Sequence, residues 1–198
     1  RCIVGFQPDE LEILDGKIYV ANSGGYMGAG NSEGYERTVS VIDIESFKEG
    51  ERIDVGINLE MIRADKQGNL WVTSRGDYFG EPSQIYVIDK DRKEVTDTIT
   101  ISASSMWIDD DLLYVVGAAF SFVTNEYETH YSIVDTKTRK VIKQNFITDG
   151  TDKEIEMPYS IMVHPQKKDI YITDAGNYVT SGVLYCFDKN GKKKWDVR

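Results

Sequence analysis

The sequence has few of the residues that build metal and redox centres. Its 198 residues include two cysteines and two histidines, and neither a Cys-x-x-Cys nor a His-x-His pattern occurs. Structural zinc sites and multi-histidine centres need such clusters. Cys186 lies in the apolar run 183–187 and is interpreted as a small buried side chain. We therefore predict no metal site and no cofactor.

Positive charge and long apolar runs are also scarce. The chain has 23 Lys and Arg against 33 Asp and Glu, a formal net charge of -10 at pH 7. Nucleic-acid binding draws most of its affinity from Lys and Arg that neutralise phosphates, so a nucleic-acid partner is not expected. No stretch approaches the roughly 20 apolar residues that span a bilayer, and no transmembrane segment is predicted.

The sequence motifs of common catalytic and nucleotide-binding sites are missing as well. There is no Gly-x-Ser-x-Gly motif, and the two histidines form no recognisable set with Ser and Asp. The glycine-rich stretch 24–30 lacks the Lys-Ser/Thr pair of a phosphate-binding loop. We therefore predict no catalytic residue.

Two strand motifs recur four times each, always in the same order. One motif ends in aspartate, and its copies are 38–43, 84–89, 130–135 and 183–188. The other begins with an aliphatic–aromatic pair, and its copies are 18–22, 70–74, 113–117 and 170–174. A period of about 45–55 residues is typical of a repeat architecture.

Each repeat contains two further predicted strands. An inner strand precedes the aromatic motif, at 11–14, 59–64, 106–108 and 159–164. A more polar outer strand follows the aspartate, at 52–55, 94–101, 140–147 and 193–197. The strands alternate with period two and are separated by Asp-Gly, Gln-Gly and Asn-Gly turns. Four such strands per repeat predict an all-β fold, a β-propeller domain over 1–198 with four four-stranded antiparallel blades at about 8–56, 57–101, 102–150 and 151–198.

The aspartate that ends each repeated strand is predicted to have a structural role. An Asp side chain at the start of a turn can accept hydrogen bonds from backbone N–H groups further along the turn. A metal site would instead need several oxygen ligands from one loop, and the turn role is the one that the sequence favours.

The motifs Tyr19-Val20-Ala21-Asn22 and Tyr171-Ile172-Thr173-Asp174 resemble those of the YVTN/YncE-like β-propeller family. The phrases Val4-Gly5-Phe6-Gln7-Pro8 and Met157-Pro158-Tyr159-Ser160 fit the same pattern. The resemblance covers essentially the whole chain, although the loops after the aromatic strands are longer than the short turns usual in the family. It implies a surface-layer or other propeller of the bacterial cell envelope, periplasmic or on the outer surface. Its motifs are structural, so the resemblance implies the fold far more than the role.

Residues 1–6 are predicted to form an outer strand that belongs to none of the four blades. This strand leads through Gln7 and Pro8 into the first inner strand. The family that the sequence resembles has about seven blades. We therefore expect the chain to be the C-terminal part of a larger ring, with the remaining blades upstream.

The loops between the second and third strands of each blade, 23–37, 75–83, 117–129 and 175–181, are long and rich in glycine and aromatic residues. They are expected to emerge on one propeller face. Loops on a rigid scaffold often carry function, and aromatic side chains offer a large contact area; alternatively, these aromatics pack back on the blades. The predicted ligand-binding residues are Asn22, Tyr26, Tyr35, Asn58, Arg75, Asp77, Tyr78, Phe79, Phe120, Tyr127, Asn177 and Tyr178.

Three functions fit these observations. The first is a non-enzymatic binding module of the cell envelope that recognises a small molecule, glycan, peptide or protein at the loop face. The second is a scaffold or assembly propeller for another envelope protein. The third is a calcium-dependent, lactonase-like hydrolase, because the phrase 174–177 resembles one shared by NHL repeats and lactonase propellers; Glu60, Asn58 and Asp174 would then be the oxygen ligands of the metal.

Overall fold

The structure is a computed structural model that describes residues 1–24, 34–77, 80–121 and 126–198, with 119–121 and 126 described by their backbone alone. The chain divides into two compact units, Arg1–Ile101 and Ser102–Arg198. In the described ranges, no helix is both long and apolar enough to cross a membrane.

Unit 1 contains two antiparallel sheets, blade 1 and blade 2. Blade 1 consists of β1 (Pro8–Leu14), β2 (Lys17–Asn22), β3 (Thr38–Asp43), β4 (Lys48–Glu49) and β5 (Ile53–Asp54). Blade 2 consists of β6 (Leu59–Ala64), β7 (Asn69–Ser74), β8 (Gln84–Asp89) and β9 (Glu94–Ile99). Consecutive strands pair with each other in both blades, except that β4 and β5 do not pair and both pair with β3.

Unit 2 has the same organisation. Blade 3 consists of β10 (Ser105–Asp109), β11 (Leu112–Ser121), β12 (Glu126–Asp135) and β13 (Lys140–Lys143). Blade 4 consists of β14 (Pro158–Val163), β15 (Ile170–Asp174), β16 (Val183–Phe187) and β17 (Lys193–Val197), and a short 3-10 turn, Thr151–Lys153, precedes it. The prediction of an all-β fold with four antiparallel sheets in this order is confirmed.

The outer edge of blade 1 differs from the prediction of one strand at 52–55. Two short strands share this edge, since β4 pairs with the end of β3 and β5 with its beginning. Between them, Gly50 donates its N–H to the carbonyl of Val41 at 2.8 Å. The chain leaves and rejoins the sheet at this point, and period-two alternation alone does not reveal such an interruption.

Residues 1–6, which were predicted to form an outer strand of a preceding blade, form no strand within the described chain. The carbonyls of Phe6 and Gln7 accept hydrogen bonds from Gly24 and Ser23, at 3.0 and 3.1 Å. Gln7 has a φ of 47°, so the chain turns sharply before β1. This segment lies against the end of β2, and its assignment to a preceding blade stays a prediction.

Blade 3 also departs from the prediction. The sequence predicted a loop at 117–129, but β11 and β12 pair continuously from Leu112 opposite Asp135 to Ser121 opposite Glu126. These are the longest strands of the described chain, with 10 residues each. The hairpin therefore continues through most of the segment that was expected to be irregular.

Each unit has its own core, formed between the facing sides of its two blades. In unit 1, the core residues are Tyr19, Ala21, Val39, Val41, Ile53 and Val55 of blade 1 with Leu59, Ile62, Leu70, Val72, Tyr86 and Ile88 of blade 2. In unit 2, they are Tyr114, Val116, Tyr131, Phe146 and Ile147 with Ile155, Ile161, Val163, Ile170, Ile172, Tyr185 and Phe187. Burial of each large apolar side chain contributes about 1.5–3 kcal/mol, so packing between blades stabilises each unit.

The predicted turn role of the repeated aspartates is confirmed. Each carboxylate accepts a backbone N–H from the turn that follows its strand. The pairs are Asp43 with Ser46 at 2.8 Å, Asp89 with Arg92 at 3.0 Å, Asp135 with Thr138 at 2.7 Å and Asp188 with Asn190 at 2.8 Å. Hydrogen bonds from the turn hold the pKa of all four carboxyl groups below its usual range.

Candidate functional site

Three exposed tyrosines of unit 2, Tyr127, Tyr159 and Tyr178, form what we call the tyrosine patch. Their exposed fractions are 59%, 60% and 66%. The rings of Tyr159 and Tyr178 meet edge to face, with centroids 6.3 Å apart. Burial raises the pKa of Tyr178, and the neighbouring hydroxyls of Tyr159 and Tyr127 raise it further. The predicted residue Tyr178 thus contacts Tyr159, and the predicted residue Tyr127 lies within electrostatic range of Tyr178.

Tyr159 reaches the surface because β14 begins with a β-bulge. Pro158 pairs with Asp174 and Ser160 with Thr173, so that Tyr159 is the extra residue between them. A bulge changes the direction of the side chain at this point of a strand. The bulge therefore turns the Tyr159 ring outward, toward Tyr178.

A buried carboxylate joins the segment before β14 to the loop after β15. Asp174 accepts hydrogen bonds from the N–H groups of Glu156 at 3.1 Å, Met157 at 2.8 Å and Gly176 at 2.9 Å. The first two residues lead into the strand of Tyr159, and the third belongs to the loop of Tyr178. Asp174 is thus a positioning residue for two members of the tyrosine patch.

The loop 175–181 is a compact turn in which Asn177 has a structural role. Its Oδ1 accepts N–H hydrogen bonds from Val179 at 3.0 Å and Thr180 at 2.9 Å. Tyr178 has a φ of 61°, a left-handed conformation that is uncommon for bulky residues. Instead of packing back on the blade, Tyr178 is held outward by this turn.

Tyr127 comes from the long hairpin of blade 3. Its backbone lies opposite Phe120 across the β11–β12 pair, so the two residues predicted in this loop are cross-strand partners. The side chain of Phe120 lies outside the described part of the structure. Because Tyr127 belongs to a regular ladder, its position is set by strand pairing rather than by a loop.

In unit 1, the predicted residue Arg75 belongs to a charged cluster on the inner strands. Its guanidinium is hydrogen-bonded to Glu60, and it lies 3.7 Å from a carboxylate oxygen of Asp9. Burial raises the pKa of Glu60, and the hydrogen bond from Arg75 opposes this shift. Burial also raises the pKa of Asp9, again opposed by Arg75. The cation therefore neutralises two carboxylates that would otherwise repel each other.

Two other predicted residues, Asn22 and Asn58, are buried. Asn22 donates to the hydroxyl of Ser40 at 2.9 Å, and among the described residues no donor reaches its Oδ1. Asn58 has a φ of 51° and donates to the carbonyl of Gly76 at 3.0 Å. Because both side chains are buried, neither is presented on an accessible surface.

The remaining predicted residues lie in the loops of unit 1. Asp77 accepts N–H hydrogen bonds from Gly80 at 2.7 Å and Glu81 at 2.9 Å, which closes its loop. Tyr35 is half-buried. Tyr26, Tyr78 and Phe79 lie outside the described residues.

The three oxygen ligands proposed for a lactonase-like metal are each engaged in other contacts. Glu60 is paired with Arg75, Asn58 donates to a backbone carbonyl, and Asp174 accepts three N–H groups. No group of three or more His, Cys, Asp or Glu side chains suited to a metal ion occurs within the described ranges. These hydrogen bonds and the ion pair with Arg75 account for the positions of the three side chains.

Comparison with known proteins identifies the fold. No protein family and no curated protein matches the sequence. Among solved structures, hydrazine synthase from Kuenenia stuttgartiensis is similar over 97% of this chain and 47% of its own, with 14% identity and a TM-score of 0.69. The Pan2 WD40 domain from Neurospora crassa is similar over 96% of this chain and 51% of its own, with 8% identity and a TM-score of 0.61. The chain therefore has a β-propeller fold and spans about half the length of these structures.

Sequence reasoning did not select Tyr159 as a site residue. In a regular strand Tyr159 would face the same side as Ile161 and Val163, which are both buried. Only the register shift at the bulge reverses its direction. The Met157-Pro158-Tyr159 phrase was visible in the sequence, but it carries no signal for a bulge.

Proposed function

We propose that this chain is a non-enzymatic binding module and that its tyrosine patch, Tyr127, Tyr159 and Tyr178, contacts a protein partner. The observation that carries the proposal is the convergence of three largely exposed tyrosines from different elements of unit 2. Tyrosine is enriched at protein interfaces because its ring gives a large contact area and its hydroxyl gives a hydrogen bond.

The exposure of the patch favours a macromolecular partner over an enclosed small molecule. Small-molecule sites are concave and bury most of the ligand surface, whereas all three patch side chains are more than half exposed. Val179, beside Tyr178, is 88% exposed and extends the apolar surface. A patch of this kind offers its contact area to the surface of another macromolecule.

The patch is also prepared for binding, which lowers the entropic penalty of association. Tyr159 is placed by a strand bulge, Tyr127 by a strand pair, and Tyr178 by a turn that the Asn177 side chain closes. Rigid aromatic side chains on rigid elements lose little freedom when a partner binds.

A phage-displayed peptide library panned on the wild-type protein tests this proposal. Enriched peptides are then measured against a triple variant, Tyr127→Ala, Tyr159→Ala and Tyr178→Asn, in which asparagine suits the left-handed φ of position 178. We expect the affinity to fall by at least about tenfold, or about 1.4 kcal/mol.

Two controls accompany this measurement. Ile142→Ser changes an exposed apolar residue of β13 away from the patch and should leave peptide binding unchanged. The triple Tyr→Phe variant keeps the rings and should retain most of the affinity. The proposal fails if the enriched peptides bind the triple variant as well as the wild type. It also fails if the wild-type protein enriches no peptide and binds only to glycans on a glycan array.

The cell-envelope location is a further part of this proposal. It is supported by the resemblance of the segments 19–22 and 171–174 to the YVTN/YncE-like family. Fractionation of cells that express the natural gene, with an antibody against this chain, tests it, and recovery in the cytoplasmic fraction would contradict it.

A further inference from the structure

Two carboxylates lie beside the turn that carries Tyr178. Asp174 is buried and accepts three backbone N–H groups, one of them from Gly176. Glu156 is exposed, and its Oε2 lies 3.8 Å from the position that a Cβ on Gly176 would take. Gly176 and Tyr178 belong to the same compact loop. The tyrosine patch therefore has two negative charges next to one of its members.

These two charges differ from other carboxylates of unit 2 in having no cationic partner. Glu154 is paired with Lys193 at 2.8 Å, and Asp169 is paired with Lys194 at 2.7 Å. Within the described ranges, no Lys or Arg forms an ion pair with Asp174 or Glu156. The negative charge beside the patch is therefore not neutralised by a direct ion pair.

The tyrosine rings attract the same kind of group as the carboxylates. The face of an aromatic ring carries partial negative charge and binds the cation of a Lys or Arg side chain within about 6 Å of its centre. Tyr159 and Tyr178 meet edge to face and are 60% and 66% exposed. Ring surface therefore remains open to a partner on both residues, next to the exposed Glu156.

The patch is formed by two blades that pack together in unit 2. Tyr127 belongs to β12 of blade 3, and Tyr178 belongs to the loop after β15 of blade 4. The two tyrosines are close enough for Tyr127 to raise the pKa of Tyr178. Both blades contribute to one buried core, so the site is a feature of the unit rather than of a single loop.

We propose that the protein partner of the tyrosine patch inserts a lysine or arginine side chain, whose cation lies over the ring of Tyr159 or Tyr178 and pairs with Glu156. This inference rests on the proposed function, because it gives the chemistry of the partner at the same site. Arginine suits the site best, since its planar guanidinium stacks on aromatic rings and also forms paired hydrogen bonds with a carboxylate.

The charge of the whole chain acts in the same direction. Its formal net charge of -10 attracts a basic partner and accelerates the encounter. Salt screens such attraction, over about 10 Å at 0.1 M ionic strength. We therefore expect binding to weaken as salt is added, whereas a purely apolar contact would not weaken.

Four pools of synthetic octapeptides test the inference. Each pool has one fixed central residue, arginine, lysine, citrulline or norleucine, and a mixture of uncharged residues elsewhere, with both termini blocked. Citrulline and norleucine keep most of the shape of arginine and lysine but carry no charge. The wild-type protein is immobilised, and mass spectrometry measures the retained peptides. We expect the two cationic pools to be retained at least about fivefold more than their neutral counterparts.

Glu156→Gln tests the role of the carboxylate, because it removes the charge and keeps the shape of the side chain. We expect retention of the arginine pool to fall by about twofold to threefold, with no change for the citrulline pool. Glu154→Gln is the matched control. It makes the same change of charge two positions away, at a carboxylate that Lys193 already neutralises, and should leave the preference for arginine in place. Circular dichroism checks that both variants are folded.

The outcomes separate this inference from the proposed function. Equal retention of the arginine and citrulline pools by the wild type, lost in the triple tyrosine variant, overturns the inference and leaves the proposed function standing. An arginine preference that survives Glu156→Gln also overturns it. If no pool is retained better by the wild type than by the triple variant, both fail. Binding to phosphatidylcholine vesicles without retention of any pool would assign the cation to a lipid headgroup and likewise overturn both.

Discussion

The indole Nε1–H of Trp71 donates a 2.8 Å hydrogen bond to Oδ2 of Asp65, and both residues are buried. The other oxygen of Asp65 accepts the N–H groups of Gln67 at 2.9 Å and Asn69 at 2.8 Å. One carboxylate therefore ties the largest buried side chain of blade 2 to the turn between β6 and β7. A buried charge is tolerated at this point because its acceptor positions are filled.

Replacement of this carboxylate should destabilise unit 1. In Asp65→Ala the Trp71 indole and two backbone N–H groups lose their acceptor, and we expect the free energy of unfolding to fall by about 2–3 kcal/mol. Urea unfolding followed by tryptophan fluorescence measures the change. Asp65→Asn keeps one acceptor oxygen and should give a smaller loss. Glu45→Ala, at an exposed turn position, is the control, and an equal loss there would contradict the interpretation.

The Arg75–Glu60 pair gives a second prediction. Because Glu60 is largely buried, removal of its cation leaves a charge with little solvation. We expect Arg75→Leu to destabilise the fold by about 1–3 kcal/mol, less than for a fully buried pair because Arg75 is partly exposed. Addition of Glu60→Gln should recover part of this loss, since no uncompensated charge remains. Urea unfolding of both single variants and the double variant measures the coupling, and purely additive effects would refute it.

The aspartates that end the repeated strands predict a loss of stability in acid. The N–H of Thr138 lowers the pKa of Asp135 in the folded state, so the folded protein binds fewer protons there than the unfolded chain. The stabilisation of the fold by this carboxylate is fully present above the unfolded pKa of about 3.9, and it is lost as the pH falls through the folded pKa.

Asp135→Asn tests this contribution, because the amide oxygen still accepts the turn N–H but carries no charge. The variant should be less stable than the wild type at pH 7, and the difference should shrink by about pH 3. Free energies of unfolding in urea at both pH values measure it. A difference that stays constant with pH would show that the carboxylate charge contributes nothing.

Alanine substitutions at two glycines distinguish the loss of stability caused by a positive φ from the loss caused by a steric clash. Gly191 has a φ of 80°, and a Cβ there would overlap the Phe146 carbonyl oxygen, 1.7 Å away. Gly16 has a φ of 73°, and a Cβ there would have no neighbour within 4 Å. Gly16→Ala should therefore lower the free energy of unfolding only by the cost of a positive φ, about 1 kcal/mol. Gly191→Ala should lose clearly more, and thermal unfolding of the two variants compares them; equal losses would contradict the collision.

Much of the fold could be predicted because it depends on local sequence. The central strands of each blade, such as β7 and β8, are runs of β-branched and aromatic residues, and the turns between strands carry Gly and Asp. The capping role of Asp43 and its equivalents follows from residues no more than three positions apart. Such contacts are favoured by the local sequence itself.

The candidate site could be predicted only in part. Tyr127 and Tyr178 were expected at the loop face, and both are exposed. Asn22 and Asn58 have the residue types of a binding site, but their burial depends on backbone segments brought close by folding. Tyr159 was missed because its direction depends on a register shift against β15.

The sequence by itself determined the number, order and turn chemistry of the four repeated sheets, because period-two alternation and Asx turns act over a few residues. Only the tertiary structure decided the bulge that exposes Tyr159, the interrupted edge of blade 1 and the absence of a strand at 1–6. These features depend on which strand or blade lies opposite a residue, and that relationship between distant parts of the chain is set when the sheets pair and pack.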